Sequence, residues 1–135
     1  MLQLALLLMK STKMISCIPG GMPGSEHLRD SKELQQLLTK QNLEQKFISA
    51  ICAAPAVVLV PLGILQGKNA TCYPAAKFRD SMQKDFTSND DVVIDQNVIT
   101  SRGPGTSLKF ALALVELLFG AEMKDKLAKE MCVKM

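Results

Sequence analysis

The sequence predicts an α/β domain built on a mainly parallel sheet, and three observations carry that expectation. Short apolar runs alternate with amphipathic helical stretches, the rhythm of βαβ units. One run, Phe47 to Ile51, meets an apolar helical stretch with only Cys52 at the junction. Two glycine–proline loops, Pro19-Gly20-Gly21-Met22-Pro23-Gly24 and Arg102-Gly103-Pro104-Gly105, each follow a strand-like run and so converge on one sheet edge.

Taken in order, Met14 to Ile18 reads as a short strand stopped by Pro19-Gly20-Gly21. Ser31 is placed to cap a helix whose buried face is Leu34, Leu37 and Leu38, with Lys32, Gln35 and Gln36 outward. Phe47 to Ile51 has the low polarity of a strand covered on both faces. Ala53 to Ile64 is apolar all round, hence a buried helix, with Pro55 tolerated in its first turn and Pro61 kinking or ending it. Gly67-Lys68-Asn69 turns into a short strand, Ala70-Thr71-Cys72. Val92 to Ile94 and Val98 to Thr100 flank Asp95-Gln96-Asn97 as a hairpin. The longest helix runs from about Thr106 to Phe119, with Leu108, Ala111, Leu112, Val115 and Leu118 inward and Gly120 as its stop. A last, largely surface helix spans Ala121 to Met131.

Composition narrows the function classes. With 135 residues, 47% apolar and 21% charged, the chain is one globular domain with a real core. A net charge of +3, scattered lysines, no Trp and a single Tyr argue against nucleic acid as a partner. The opening Met1 to Met9 is apolar, but it lacks the flanks of a signal peptide and is about half of the ~20 residues a membrane helix needs. It is expected to be a buried helix or strand, or an altered start, so no membrane association is inferred. The absence of targeting signals reads as cytoplasmic, with organellar targeting left open. The cysteines Cys17, Cys52, Cys72 and Cys132 lack zinc-site spacing, and one His gives them little help. Their even number allows two disulfides, yet no secretory signal supports an oxidising compartment.

The junction Ser49-Ala50-Ile51-Cys52-Ala53-Ala54-Pro55 carries the chemistry. Ala50 and Ala54 lie two residues either side of Cys52, which meets the steric demand of a nucleophile elbow. A thiol at a helix start is favoured as thiolate, and the N–H of Ala53 faces the space of a developing oxyanion. The bland alternative is a small buried hydrophobe. The carboxyl end of a parallel strand, where open α/β sheets place their sites, weighs against it.

Four segments resemble the ThiJ/PfpI superfamily. They are Pro19-Gly20-Gly21-Met22-Pro23-Gly24-Ser25-Glu26, Ala50-Ile51-Cys52-Ala53-Ala54-Pro55, Thr71-Cys72-Tyr73-Pro74 and Thr100-Ser101-Arg102-Gly103-Pro104-Gly105-Thr106. Their order and spacing are most similar to the parkinsonism-associated deglycase-like branch, with residues 18–135 as the C-terminal portion of the domain and 1–17 as a divergent apolar start. The resemblance implies a flavodoxin-like three-layer α/β/α sandwich, usually a homodimer. It implies Cys52 as nucleophile and redox sensor, with Gly21 and Ala53 supplying oxyanion-hole N–H groups and Gly20, Tyr73 and Arg102 in support. It further implies a cofactor-free glyoxalase or deglycase activity on methylglyoxal or glyoxal, or a non-enzymatic chaperone responding to Cys52 oxidation.

The departures shape the expectation. The family's carboxylate partner of the nucleophile comes from a βαβ segment before the first glycine loop, where this sequence has only Met1 to Ile18, so no residue is carried over for that role. A sheet without that unit has an uncovered edge and is expected to be poorly stable or to aggregate. Many relatives have His where this chain has Tyr73, a poor base near neutral pH. That substitution argues against a third class, a cysteine hydrolase. Glu26 is expected at a helix start and His27 at the surface. Arg102 either stabilises an anion or an oxidised thiol, or pairs with a carboxylate at a helix start. Cys17 and Cys72 are expected as strand residues packed in the sheet.

Overall fold

A computed structural model describes residues 14–134. The Met1 to Met9 segment lies outside the described residues. The strands are β1 (Ile15–Ile18), β2 (Phe47–Ile51), β3 (Val92–Asp95) and β4 (Val98–Ser101), in the order β1-β2-β4-β3. β1 pairs β2 and β2 pairs β4 in parallel, while β3 closes an antiparallel hairpin onto β4. The hairpin turn is Gln96-Asn97, with Gln96 at φ 54°. The mixed, mainly parallel sheet is therefore the one the βαβ rhythm predicts.

Two helices, α1 (Gly24–Asp30) and α2 (Lys32–Leu43), connect β1 to β2. Ser31 caps α2 as expected, its Oγ accepting from Leu34 N at 3.3 Å. The buried face differs from the expected one: Leu38 is fully buried, but Leu37 is 48% exposed and Gln41 is buried in its place. Gln41 is drawn inward because its side-chain oxygen accepts a hydrogen bond from Ser16 on β1. Helix α1 was not legible in the sequence, since of its residues only Ser25 is fully buried and Leu28 packs on the core.

After β2 the chain makes a π-helical segment, Pro55–Leu59, and continues in turns to Gly67. A regular α-helix over Ala53 to Ile64 does not form. Val60 N bonds Pro55 O and Ile64 N bonds Leu59 O, both five residues back. Pro61 has no N–H and its ring crowds the preceding turn, and a wider winding relieves that clash. The segment is buried as expected, with Ala54, Val58, Leu59 and Ile64 joining Leu38, Ile48, Ala50 and Val98 in one core.

Ala70-Thr71-Cys72 is a second correction. It is extended but not a sheet strand, holding only one isolated bridge from Ala70 to Thr87. Thr71 N donates to the Thr100 side chain at 2.9 Å rather than to a strand backbone. Cys72 is therefore buried outside the sheet, and Cys17 sits in β1 but is exposed. A one-turn helix α3 (Ala76–Arg79) and a 3-10 turn at Lys84–Phe86 follow, neither marked by any periodicity.

Helix α4 (Ser107–Phe119) lies against β3 and β4, and α5 (Ala121–Glu130) packs on α4 after a break at Gly120, φ 92°. Ile99, on the opposite sheet face from Val98 and Thr100 by strand alternation, is buried on this side. The inward face of α4 is set by Phe110 and Leu112, whereas Leu108 is 55% exposed and Ala111 also faces solvent. Only Lys109 and Glu116 mark a polar side of this helix, so its detailed orientation follows from the sheet it meets. Among the described residues no helix is long and apolar enough to cross a membrane.

Candidate active site

The elbow forms where the sequence places it. Cys52 follows β2 with φ 64°, a left-handed conformation that is uncommon for a side-chain-bearing residue and characteristic of strained functional turns. The turn is held from two directions. Cys52 N donates to Ser101 O at 3.0 Å, tying it to the end of β4, and Cys52 O accepts from Tyr73 N at 2.8 Å. Cys52 itself is half-buried.

The first glycine loop packs directly on this corner. A Cβ at Gly20 would stand 2.5 Å from Cys52 Cβ, 2.7 Å from Ile51 O and 3.2 Å from Ala53 N. Gly20 is thus a close-approach glycine, which no larger residue can replace without moving the elbow. Gly21 follows at φ 88°, and its carbonyl accepts from Ser25 N at 2.8 Å, leading into α1. Among the described residues neither Gly21 N nor Ala53 N has an acceptor.

The second glycine loop approaches from the other side. Gly103 lies against the Tyr73 ring, where a Cβ would stand 3.3 Å from Cδ2. Thr106 ties the loop by bonding Gly103 N through Oγ1 at 3.1 Å and contacting Ser101 Oγ at 2.6 Å. Tyr73 stands edge-on to Phe78 with ring centres 6.2 Å apart. An open apolar cleft lies between Tyr73, Pro74, Arg102, Gly103 and Pro104.

Arg102 reaches Asp91 Oδ1 at 3.9 Å, and Lys109 holds the other carboxylate oxygen at 2.6 Å. The hydrogen bond from Lys109, with the charges of Lys109 and Arg102, keeps the Asp91 carboxyl below its ordinary range. Of the two roles expected for Arg102, pairing with a carboxylate is the one seen, though with the residue before β3 rather than one at a helix start. Its Nε is buried with no partner among the described residues.

The structure thus gathers Gly20, Cys52, Ala53 and Tyr73 at one corner, with Gly103 and Arg102 beside it. His27 is exposed on α1 and Glu26 is half-buried there. No described side chain hydrogen-bonds the Cys52 thiol, and all four cysteines are free. Sequence reading missed the Ser101 carbonyl that anchors the elbow and the seat of Gly103 on Tyr73. Both depend on the β2–β4 register, which periodicity does not reveal. No cluster of His, Cys, Asp or Glu among the described residues could hold a metal ion.

Comparison with known proteins identifies the family and the fold. The model of the DJ-1/PfpI family matches residues 11–117. Protein DJ-1 homolog B of Arabidopsis thaliana is 46% identical over 112 residues, covering 83% of this chain and 25% of the relative. The glutathione-independent glyoxalase DJR-1.2 of Caenorhabditis elegans is 40% identical over 119 residues, covering 88% of this chain and 62% of the relative. The structure of oxidized Toxoplasma gondii DJ-1 superposes with a TM-score of 0.82 at 40% identity, covering 88% of this chain and 65% of that one. The chain therefore spans between about a quarter and three-fifths of the length of the curated relatives it matches. That structural likeness shows the flavodoxin-like α/β fold.

Proposed function

Because the chain belongs to the DJ-1/PfpI family, in its DJ-1-like branch, we propose that Cys52 is the nucleophile of a cofactor-independent glyoxalase or deglycase acting on methylglyoxal or glyoxal. The observation that carries the reading is the elbow. Cys52 is held at φ 64° by Ser101 and Tyr73 backbone bonds, with the Gly20 backbone packed against it. The name of the C. elegans relative supports the reaction class.

In this reading the Cys52 thiolate adds to the aldehyde carbon, and the N–H groups of Gly21 and Ala53 stabilise the oxyanion. The proton on the former aldehyde carbon then moves to the adjacent carbon, leaving a hydroxyacyl thioester. Water releases the hydroxy acid and restores the thiol, so the sum is aldehyde plus water, with no external oxidant. Tyr73 and Arg102 border the cleft and orient the substrate.

The alternative is a redox-sensing chaperone in which oxidation of Cys52 is itself the event. The absence of any described side chain hydrogen-bonded to the Cys52 thiol favours it, because turnover needs a group to move the proton. Lactate production from methylglyoxal by the purified chain, beside Cys52→Ser, separates the two. Turnover abolished by the substitution supports the enzyme. No turnover in the parent, with Cys52 still oxidised selectively by peroxide, supports the sensor.

A further inference from the structure

Cys72 is a buried thiol with no part in the proposed reaction, and it lies beside the nucleophile. Tyr73 N donates to Cys52 O at 2.8 Å, so the Cys72–Tyr73 peptide lies directly against the elbow. With standard backbone dimensions this bond holds the Cα atoms of Cys52 and Cys72 within about 7.6 Å, overlapping the separation a disulfide spans. Cys72 Sγ contacts Tyr73 O at 3.4 Å, the carbonyl of the next peptide unit along the same segment. The two thiols differ in access: Cys52 is half-buried, whereas Cys72 is 0% exposed.

We propose that Cys72 is the internal partner that converts oxidised Cys52 into a Cys52–Cys72 disulfide, closing the site reversibly under peroxide. The inference rests on Cys52 being the reactive thiol. A hydroperoxide oxidises the Cys52 thiolate to sulfenic acid, its O–O bond breaking as the S–O bond forms and the other oxygen leaving as water or alcohol. The Cys72 thiolate then attacks the Cys52 sulfur, forming the S–S bond and expelling hydroxide, which takes up the proton that Cys72 released and leaves as water. Because solvent does not reach Cys72, peroxide meets Cys52 first, which sets the order of events.

The second step has a pH signature. Burial pushes the Cys72 thiol above its ordinary range, against the charge of Arg79, and the negative charge of Cys52 acts in the same direction as burial. Its thiolate is therefore scarce near neutrality, and each unit of added pH raises the closure rate about tenfold until the thiol is half ionised. In mildly acidic solution closure is slow, and further oxidation of Cys52 to sulfinic acid competes.

The test treats the full chain carrying Cys17→Ser and Cys132→Ser with a small excess of hydrogen peroxide, about three equivalents, enough for the two-step oxidation to sulfinic acid. Excess is then removed with catalase, and closure is followed by mass spectrometry of non-reduced tryptic digests. Cleavage after Lys68 separates the two cysteines, so closure appears as a cross-linked pair of peptides, 47–68 and 69–77, lost on adding dithiothreitol. The expected results are this cross-link, a closure rate rising about tenfold per pH unit, and Cys52 sulfinic acid instead in Cys72→Ala. Sulfinic acid at Cys52 with no cross-link in the parent overturns the role of Cys72 and leaves the nucleophile reading intact. Cys52 unmodified by peroxide overturns both. The parent chain alone decides the matter, so a misfolded Cys72→Ala does not obscure the result.

Discussion

Replacing Gly20 by alanine adds one methyl group where the first glycine loop meets the elbow. That carbon would stand 2.5 Å from Cys52 Cβ and 2.7 Å from Ile51 O. Atoms attract at about 3.5 Å, so the shortfall is about 1 Å. Two of the three neighbours are backbone atoms, Ile51 O and Ala53 N, and cannot rotate away. Either the loop withdraws or the elbow opens. Overpacking of this kind costs about 1–3 kcal/mol, and rigid contacts place Gly20→Ala near the upper value. Gly20 does not lie at positive φ, so the penalty is steric approach alone. Gly24→Ala is the matched control: nothing lies within 4 Å of its added carbon, at the start of α1. It is expected to be neutral or stabilising by up to about 1 kcal/mol. Urea denaturation gives the stability, and the rate of Cys52 alkylation by iodoacetamide reports the elbow. Gly20→Ala as stable as the parent, with unchanged alkylation, would refute the close packing on which the site rests.

Other predictions follow from the polar contacts. Lys68, 7% exposed, donates to Asn42 Oδ1 at 3.1 Å and Asn97 Oδ1 at 2.8 Å, joining α2 to the hairpin. Lys68→Met leaves the Asn97 oxygen without this donor and is expected to cost about 1–3 kcal/mol in urea. Burial lowers the Lys68 ammonium below its ordinary range. The unfolded chain then holds that proton more tightly, so this group makes stability rise with pH up to the unfolded lysine value, and Lys68→Met removes the rise. Asp91 has the opposite dependence: its contribution is present above the ordinary carboxylate range and lost as pH falls through its lowered value. Asp91→Asn should flatten that acid limb in thermal unfolding, and added salt should flatten it in the parent. Tyr73→Phe should change stability by less than about 0.5 kcal/mol, because its packing on Gly103 and Phe78 uses the ring alone.

Much of this was legible because it follows from local chemistry. Apolar runs ended by Pro19 and by the Gln96-Asn97 turn mark β1, β3 and β4, and small residues around Cys52 mark the elbow. What was not legible depends on tertiary pairing. Thr71 spends its N–H on the Thr100 side chain, and the expected strand dissolves into an extended segment. Gln41 displaces Leu37 from the core because Ser16 supplies a partner across the β1–α2 gap. Gly20 and Gly103 look alike as loop glycines, yet one abuts the Cys52 backbone and the other a Tyr73 ring. Only the fold distinguishes them.

The central claim, that Cys52 is the reactive centre, is tested most directly by competition among the thiols of the native chain. Cys17 and Cys132 are exposed and Cys52 is only half-buried, so access alone ranks Cys52 behind them. Limiting iodoacetamide followed by peptide mass spectrometry reads the rate at each cysteine. The elbow predicts that Cys52 reacts at least tenfold faster than Cys17 or Cys132, the factor that about 1.4 kcal/mol of transition-state stabilisation supplies. Rates that follow exposure, with Cys52 slower than both, would contradict it.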